Sequence, residues 1–317
     1  MKKRIYIALI MLAVVVGAFA FRLIPNYGVY VFDLLIGVLA ILCTLEITKI
    51  LDGMNIKNSP MAIGIYPSVM FVGHVFYYLF NLKFYYWIII QIGALALTIL
   101  ITYLTFLSLD NRYMKNLMKE TRLSKSKLAR QITLGTLITC AYPCFLFLAY
   151  MLMNRIDQTP LAFVESFQGN LGWMLLTLAV AIPVVTDTCA MLCGSLFGGK
   201  KLCPKISPKK TISGACSAVL ISSIVSGGLY YLFKVFNCFE HGFILNNITM
   251  WQFVLFGFLC SIVSQLGDLF ESFLKRKANV KDSGTIFAGH GGFLDRLDSH
   301  LFAAPFTFIY FVVLLLI

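Results

Sequence analysis

An all-α protein that crosses a membrane about nine times is what this sequence predicts, N-terminus in the cytoplasm and C-terminus outside. Hydrophobic residues make up 59% of the chain and charged residues 13%, against about 45–50% and about 25% in soluble domains. The apolar residues arrive in runs such as Ile5–Phe21, Val29–Cys43, Phe84–Leu109 and Phe302–Ile317. Several approach the roughly 20 residues that span a bilayer. The basic residues are also shared unequally between alternate connecting segments.

The expected spans are residues 5–21, 28–48, 61–80, 84–109, 131–153, 170–197, 213–233, 250–270 and 301–317, with ends set roughly by where polar residues begin. The first could also be a cleaved signal peptide, since Lys2-Lys3-Arg4 precedes an apolar stretch and Ala18-Phe19-Ala20 follows it. A retained helix is the simpler reading. The sixth carries Pro183 and Asp187 and is long for a straight span, so a kink or break is expected there. Residues 1–153 form an N-terminal set of helices. Residues 154–317 form a C-terminal membrane domain with cytoplasmic loops over 198–212 and 271–300. Internal duplication, common in transporters, is not evident.

Twenty-two of the 26 Lys and Arg residues fall on segments that this topology puts in the cytoplasm. Only Arg22, Lys83, Arg155 and Lys234 fall outside. Positive charge on cytoplasmic loops sets orientation, so count and direction support each other. The net charge of +12 therefore needs no nucleic-acid partner. The Arg112–Arg130 stretch reads as an amphipathic surface helix against anionic lipid. Nine cysteines are an odd number, and they read as small helix-contact residues. Asp33 and Glu46, in the second span with no motif around them, read as interhelical polar contacts. His74, His241 and His300 read as packing or surface residues.

Chemistry concentrates in the last two cytoplasmic loops. The first runs Gly194-Ser195-Leu196-Phe197-Gly198-Gly199-Lys200 and then Ser207-Pro208-Lys209-Lys210-Thr211. Glycines, lysines and hydroxyls can cradle phosphate, although a turn with ordinary cytoplasmic lysines fits equally well. The second is denser: five of the fourteen acids and five basic residues lie between Asp268 and Asp298. Carboxylates suit a hard cation such as Mg²⁺, whose shell substrate phosphates complete. Arg and Lys suit the phosphate oxygens left over. His290 stands among glycines, where backbone can approach a ligand closely.

Depth sharpens the argument. Asp268 lies roughly 27 Å along an inward-running helix and Asp187 roughly 26 Å along another, so both reach the cytoplasmic boundary. An unpaired acid at the bilayer centre costs at least about 2.5–3.5 kcal/mol. Gln265, Asp268 and Ser272 share one helical face. Asp295 and Asp298 share another if their stretch is helical.

These residues resemble a known family. Ser272-x-Leu274-Lys275-Arg276, Lys281-Asp282-x-Gly284 and His290-Gly291-Gly292-Phe293-x-Asp295-Arg296-Leu297-Asp298 are similar to the phosphatidate cytidylyltransferase motif. Ser207-Pro208-Lys209-Lys210-Thr211 resembles the family's upstream block. Ala288, Ser213 and Cys189-Ala190-Met191 depart from the family pattern. The resemblance implies an inner-membrane enzyme, a homodimer, that joins CTP to phosphatidate and releases pyrophosphate. It implies Mg²⁺, with a second monovalent or divalent cation open, on Asp268 and Asp295, with Asp298 and Asp282 nearby. Lys275, Arg276, Lys281 and Arg296 would hold the phosphates, with Ser272, Lys209 and Lys210 beside them. His290 would donate to a phosphate or fix its loop. A CTP-dependent kinase of membrane alcohols and a transporter of anionic lipid are the competing readings.

Overall fold

The computed structural model describes residues 17–22, 24, 28–54, 56, 60–80, 82, 84–108, 115, 118–119, 121, 124–156, 171–236, 248–284 and 291–316. Its principal helices are α1 (Gly28–Gly53), α2 (Pro60–Leu79), α3 (Phe84–Ser108), α4 (Lys125–Arg155) and α5 (Leu171–Phe197). Then come strands β1 (Lys201–Cys203) and β2 (Ser207–Thr211), followed by α6 (Ile212–Val235), α7 (Met250–Lys277), the short α8 (Leu294–Leu297) and α9 (His300–Leu316).

Five of the described helices are long and apolar enough to cross a membrane: Gly28–Gly53, Tyr86–Phe106, Leu171–Phe197, Ile212–Val235 and Met250–Lys277. Their outer faces carry large apolar side chains, such as Leu220, Ile224 and Trp251, exposed by 64%, 73% and 73%. Apolar surface on that scale suits contact with lipid rather than water. The first expected span lies largely outside the described residues; of the Arg112–Arg130 stretch, residues 115, 118–119, 121 and 124–130 are described, and 125–130 belong to α4.

The chain folds as two compact units, neither of them one continuous stretch. The first comprises Met1–Ile36, Phe145–Arg276 and Asp295–Ile317. Within it α5 packs along α6 and against α9. Phe233, Phe253, Phe256 and Phe311 interlock α6, α7 and α9, with ring centroids 5.2–6.2 Å apart, in the range where offset and edge contacts between aromatic rings are favourable. A buried hydroxyl chain crosses the same helices. The Thr186 and Ser222 hydroxyls lie 2.9 Å apart, and Thr186 donates to Ser261 at 3.1 Å. Asp33 and Arg155 form a buried ion pair at 2.5 Å, and Asn154 donates to the other Asp33 oxygen at 2.8 Å. Arg155 also sits 4.3 Å from the Tyr30 ring centre. Its charge is spent inside the protein and does not count against the cytoplasmic bias. The second unit comprises Gly37–Cys144 and Lys277–Leu294, with α2 packed on α3.

The described chain is mostly helical, and the 198–212 connection carries a short hairpin that the sequence reading did not anticipate: β1 and β2 pair antiparallel, with Lys201 opposite Thr211 and Cys203 opposite Ser207. Gly198 and Gly199 take positive φ of 61° and 103°, which lets the chain leave α5 in a direction other residues resist. Thr211 caps α6, accepting the Gly214 N–H at 3.2 Å. Ser213, at a position where the family pattern differs, donates to the Gly198 carbonyl and so closes the base of the ribbon.

Of the kink or break expected at Pro183, the break is absent, for α5 runs as one helix through it. Proline removes the N–H that would bond the carbonyl four residues back, here Ala179. That carbonyl is taken instead by the Tyr150 hydroxyl at 3.4 Å and His300 Nδ1 at 3.2 Å. Such replacement partners are what permit proline inside a membrane helix. His300, whose Nδ1 also lies 2.9 Å from the Tyr150 hydroxyl, therefore has a defined structural task.

Candidate active site

The sequence places acids in the C-terminal halves of α5 and α7 and in the turn between α8 and α9. The fold of the first unit brings these three places together. Gly267 is the notch that allows it. A Cβ there would stand 2.7 Å from the Asp298 carbonyl oxygen and 3.0 Å from the Phe302 ring, so only glycine lets α7 lie this close to the turn.

Asp268 pairs with Lys210 of β2 and accepts a hydrogen bond from the Ser272 hydroxyl at 3.3 Å. One turn further along α7, Lys275 donates to Asp295 Oδ1 at 2.7 Å and lies 3.1 Å from Glu271 Oε1. The Ser299 hydroxyl donates to Asp187 Oδ2 at 2.6 Å and lies 3.4 Å from Asp298 Oδ1, which also accepts the Ser299 N–H at 2.7 Å. Arg276 turns to the hairpin, its Nε donating to the Ile206 carbonyl at 3.2 Å.

Asp298 is the electrostatic centre of this arrangement. Burial and the neighbouring Asp268 and Asp187 charges push its carboxyl well above the usual carboxylate range, while Lys275 and the Ser299 N–H pull the other way. Glu271 is fully buried, and its Oε2 has no hydrogen-bond partner among the described residues. Five carboxylates (Asp187, Asp268, Glu271, Asp295 and Asp298) thus crowd around the two ammonium groups of Lys210 and Lys275.

A hard cation fits this donor set. Mutual repulsion among buried acids and an orphaned carboxylate oxygen are what an added positive charge relieves. Among the described residues no three His, Cys, Asp or Glu side chains form a ready cage for a metal. Mg²⁺ does not require one, since it is commonly held by one or two carboxylates plus water and substrate phosphates.

The expected residues Asp268, Ser272, Lys275, Asp295, Asp298 and Lys210 therefore meet in the first unit. Lys209 and Arg296 belong to it too, both with exposed side chains. Lys281 and Asp282 are exposed and belong to the second unit. His290 lies outside the described residues. The sequence reading missed Glu271 and Ser299. Glu271 had a signal, being four residues before Lys275 and three after Asp268 on one helix. Ser299 had none beyond its adjacency to Asp298. Asp187 was marked by its depth, and Ser299 now ties it to Asp298.

The chain is similar to known proteins. A phosphatidate cytidylyltransferase of Rickettsia bellii is 39% identical over 158 residues, which is 50% of this chain and 65% of that protein. One from Rickettsia prowazekii is 44% identical over 126 residues, 38% of this chain and 51% of the relative. One from Staphylococcus haemolyticus is 43% identical over 127 residues, 40% of this chain and 45% of the relative. The matched stretches thus span about half to two-thirds of these relatives. The model of the cytidylyltransferase family matches residues 2–314, and the chain belongs to that family.

Proposed function

We propose that the protein transfers CMP from CTP to phosphatidate, giving CDP-diacylglycerol and pyrophosphate, at the cytoplasmic face of the cell (inner) membrane. The observation that carries this reading is the meeting of five carboxylates with Lys210 and Lys275 at the ends of apolar helices. The relatives' names supply the substrates. The reading includes about nine spans with the N-terminus inside, a homodimer, and a catalytic C-terminal segment over 154–317.

An oxygen of the lipid phosphate attacks the α-phosphorus of CTP. The bond from that phosphorus to the β-phosphate oxygen breaks, and pyrophosphate leaves with the electron pair. The nucleophile is already ionised at neutral pH, so the barrier lies in bringing anions together and in leaving-group charge. Positioning and electrostatic stabilisation address both. Lys210 and Lys275 exchange their carboxylate partners for phosphate oxygens, and Arg276, Arg296, Lys209 and Lys281 add further donors. Ser272 holds Asp268 in place. Asp268, Asp295 and Asp298 would hold Mg²⁺, which when bound neutralises phosphate oxygens and leaving-group charge.

The deciding assay uses purified protein, phosphatidate in micelles, cytosine-labelled CTP and Mg²⁺, with and without chelator. Label should enter the organic phase, and chelator should stop it. No cytosine label in lipid sinks the reading. Label entering lipid from CTP labelled at the γ-phosphate, in a parallel run, would instead mark a lipid-alcohol kinase, and lipid flux without CTP a transporter. Lys281→Ala should lower kcat/KM for CTP about tenfold by removing one charge-assisted phosphate contact. An unchanged value removes Lys281 from the site.

A further inference from the structure

Glu46, in α1 and apparently isolated in sequence, is 1% exposed. Among the described residues its carboxylate accepts three hydrogen bonds, all within the second unit. Ser283 Oγ donates to Oε2 at 2.9 Å, the Phe293 N–H to Oε1 at 3.0 Å, and the Leu294 N–H to Oε2 at 2.8 Å. Gly284 and Gly292 press against the same group. A Cβ at Gly284 would stand 2.6 Å from Oε1, and one at Gly292 would overlap the carboxylate outright. One buried carboxylate thus ties together two points 237 and 247 residues away in sequence.

We infer that Glu46 is a positioning residue for nucleotidyl transfer, clamping Ser283 to Phe293 and Leu294 and so fixing the chain that carries Lys281, Asp282 and Asp295. Lys281 and Asp282 immediately precede the first clamped point, and Asp295 immediately follows the second. Closing a loop at its ends removes conformational freedom from whatever those ends carry. The two glycines have a matching reason, because any side chain there displaces the clamp. This assignment rests on the cytidylyltransferase reading and adds a residue that the motif does not contain.

The experiment compares the full-length protein with Glu46→Gln, Ser283→Ala and Gly292→Ala in the cytosine-label assay and in amide hydrogen exchange. Glutamine keeps the shape but turns an amide NH₂ toward a backbone donor. It should lower kcat about 30-fold, with KM for CTP within about twofold as uniform binding is untouched. Exchange at Phe293 and Leu294 should accelerate while α5 and α7 stay protected. Ser283→Ala removes one bond of three and should cost about fivefold. Gly292→Ala should cost as much as Glu46→Gln alone but little further in a Glu46→Ala background, because the clash is with the carboxylate itself. Partial recovery with Glu46→Asp supports the role.

Wild-type kcat in Glu46→Gln, or unchanged exchange at Phe293 and Leu294, overturns it. If Glu46→Gln does not fold, the Gly292→Ala and Ser283→Ala effects decide, and their absence equally overturns it. Failure of the wild-type protein to label lipid strikes the proposed activity, while the exchange result still tests the clamp.

Discussion

Asp268→Asn should lower CMP transfer about a thousandfold while leaving the protein folded, as loss of a preorganised charge in a catalytic site does. The reason is its position. Asp268 is the acid shared between Lys210 of the hairpin and Ser272 of its own helix, and its charge falls on Asp298. The amide keeps the volume and can still accept from Ser272, so packing survives. What it loses is the negative charge needed beside a cation and a triphosphate. Asp295→Asn should behave the same way, and the double variant should be little worse than either single one, since groups acting as a unit are not additive. Turnover of labelled CTP, with elution volume and melting temperature in detergent as controls, measures the effect. Activity within about threefold of wild type, in a correctly folded variant, would remove Asp268 from the catalytic machinery.

The second large effect is on stability. Asp33→Leu should destabilise the protein by about 3–5 kcal/mol, the cost of breaking a buried ion pair from one side. Both side chains of the Asp33–Arg155 pair are 2% exposed, so solvent cannot rescue Arg155. Pairing Asp33→Leu with Arg155→Met should recover most of the loss, because a buried ion pair replaced by apolar residues is often neutral or better. Denaturant unfolding in mild detergent provides the four corners of the cycle. A single variant within about 0.5 kcal/mol of wild type would show that the pair is hydrated in solution.

The membrane helices were legible because lipid asks for long apolar runs, and runs survive without knowledge of neighbours. The acidic cluster was legible for a related reason: Asp268, Lys275, Asp295 and Asp298 lie within about thirty residues, and Asp187 reaches the same depth by simple helix rise. The hairpin was not legible. Its strands are short, rich in lysine and interrupted by Pro208, with no alternating apolar pattern to mark them. It forms because α5 ends on two glycines with positive φ and α6 begins at a capping threonine. Glu46 was misread in part. Its sequence surroundings show only an apolar helix, and its partners Ser283, Phe293 and Leu294 become neighbours through tertiary folding alone. The continuity of α5 past Pro183 was hidden for the same reason, since Tyr150 and His300 are remote in the chain.

The β1–β2 ribbon is too small to hold its shape unaided. Its order is lent by Arg276 at the turn, Asp268 at Lys210, and the base where the Ile212 N–H meets the Lys200 carbonyl at 2.9 Å. Two of these contacts engage cations, Arg276 and Lys210, that a polyphosphate would also attract. On the proposed function, a bound nucleotide would draw Lys210 and Arg276 away from these partners, so mobility of the ribbon would report whether the site is filled.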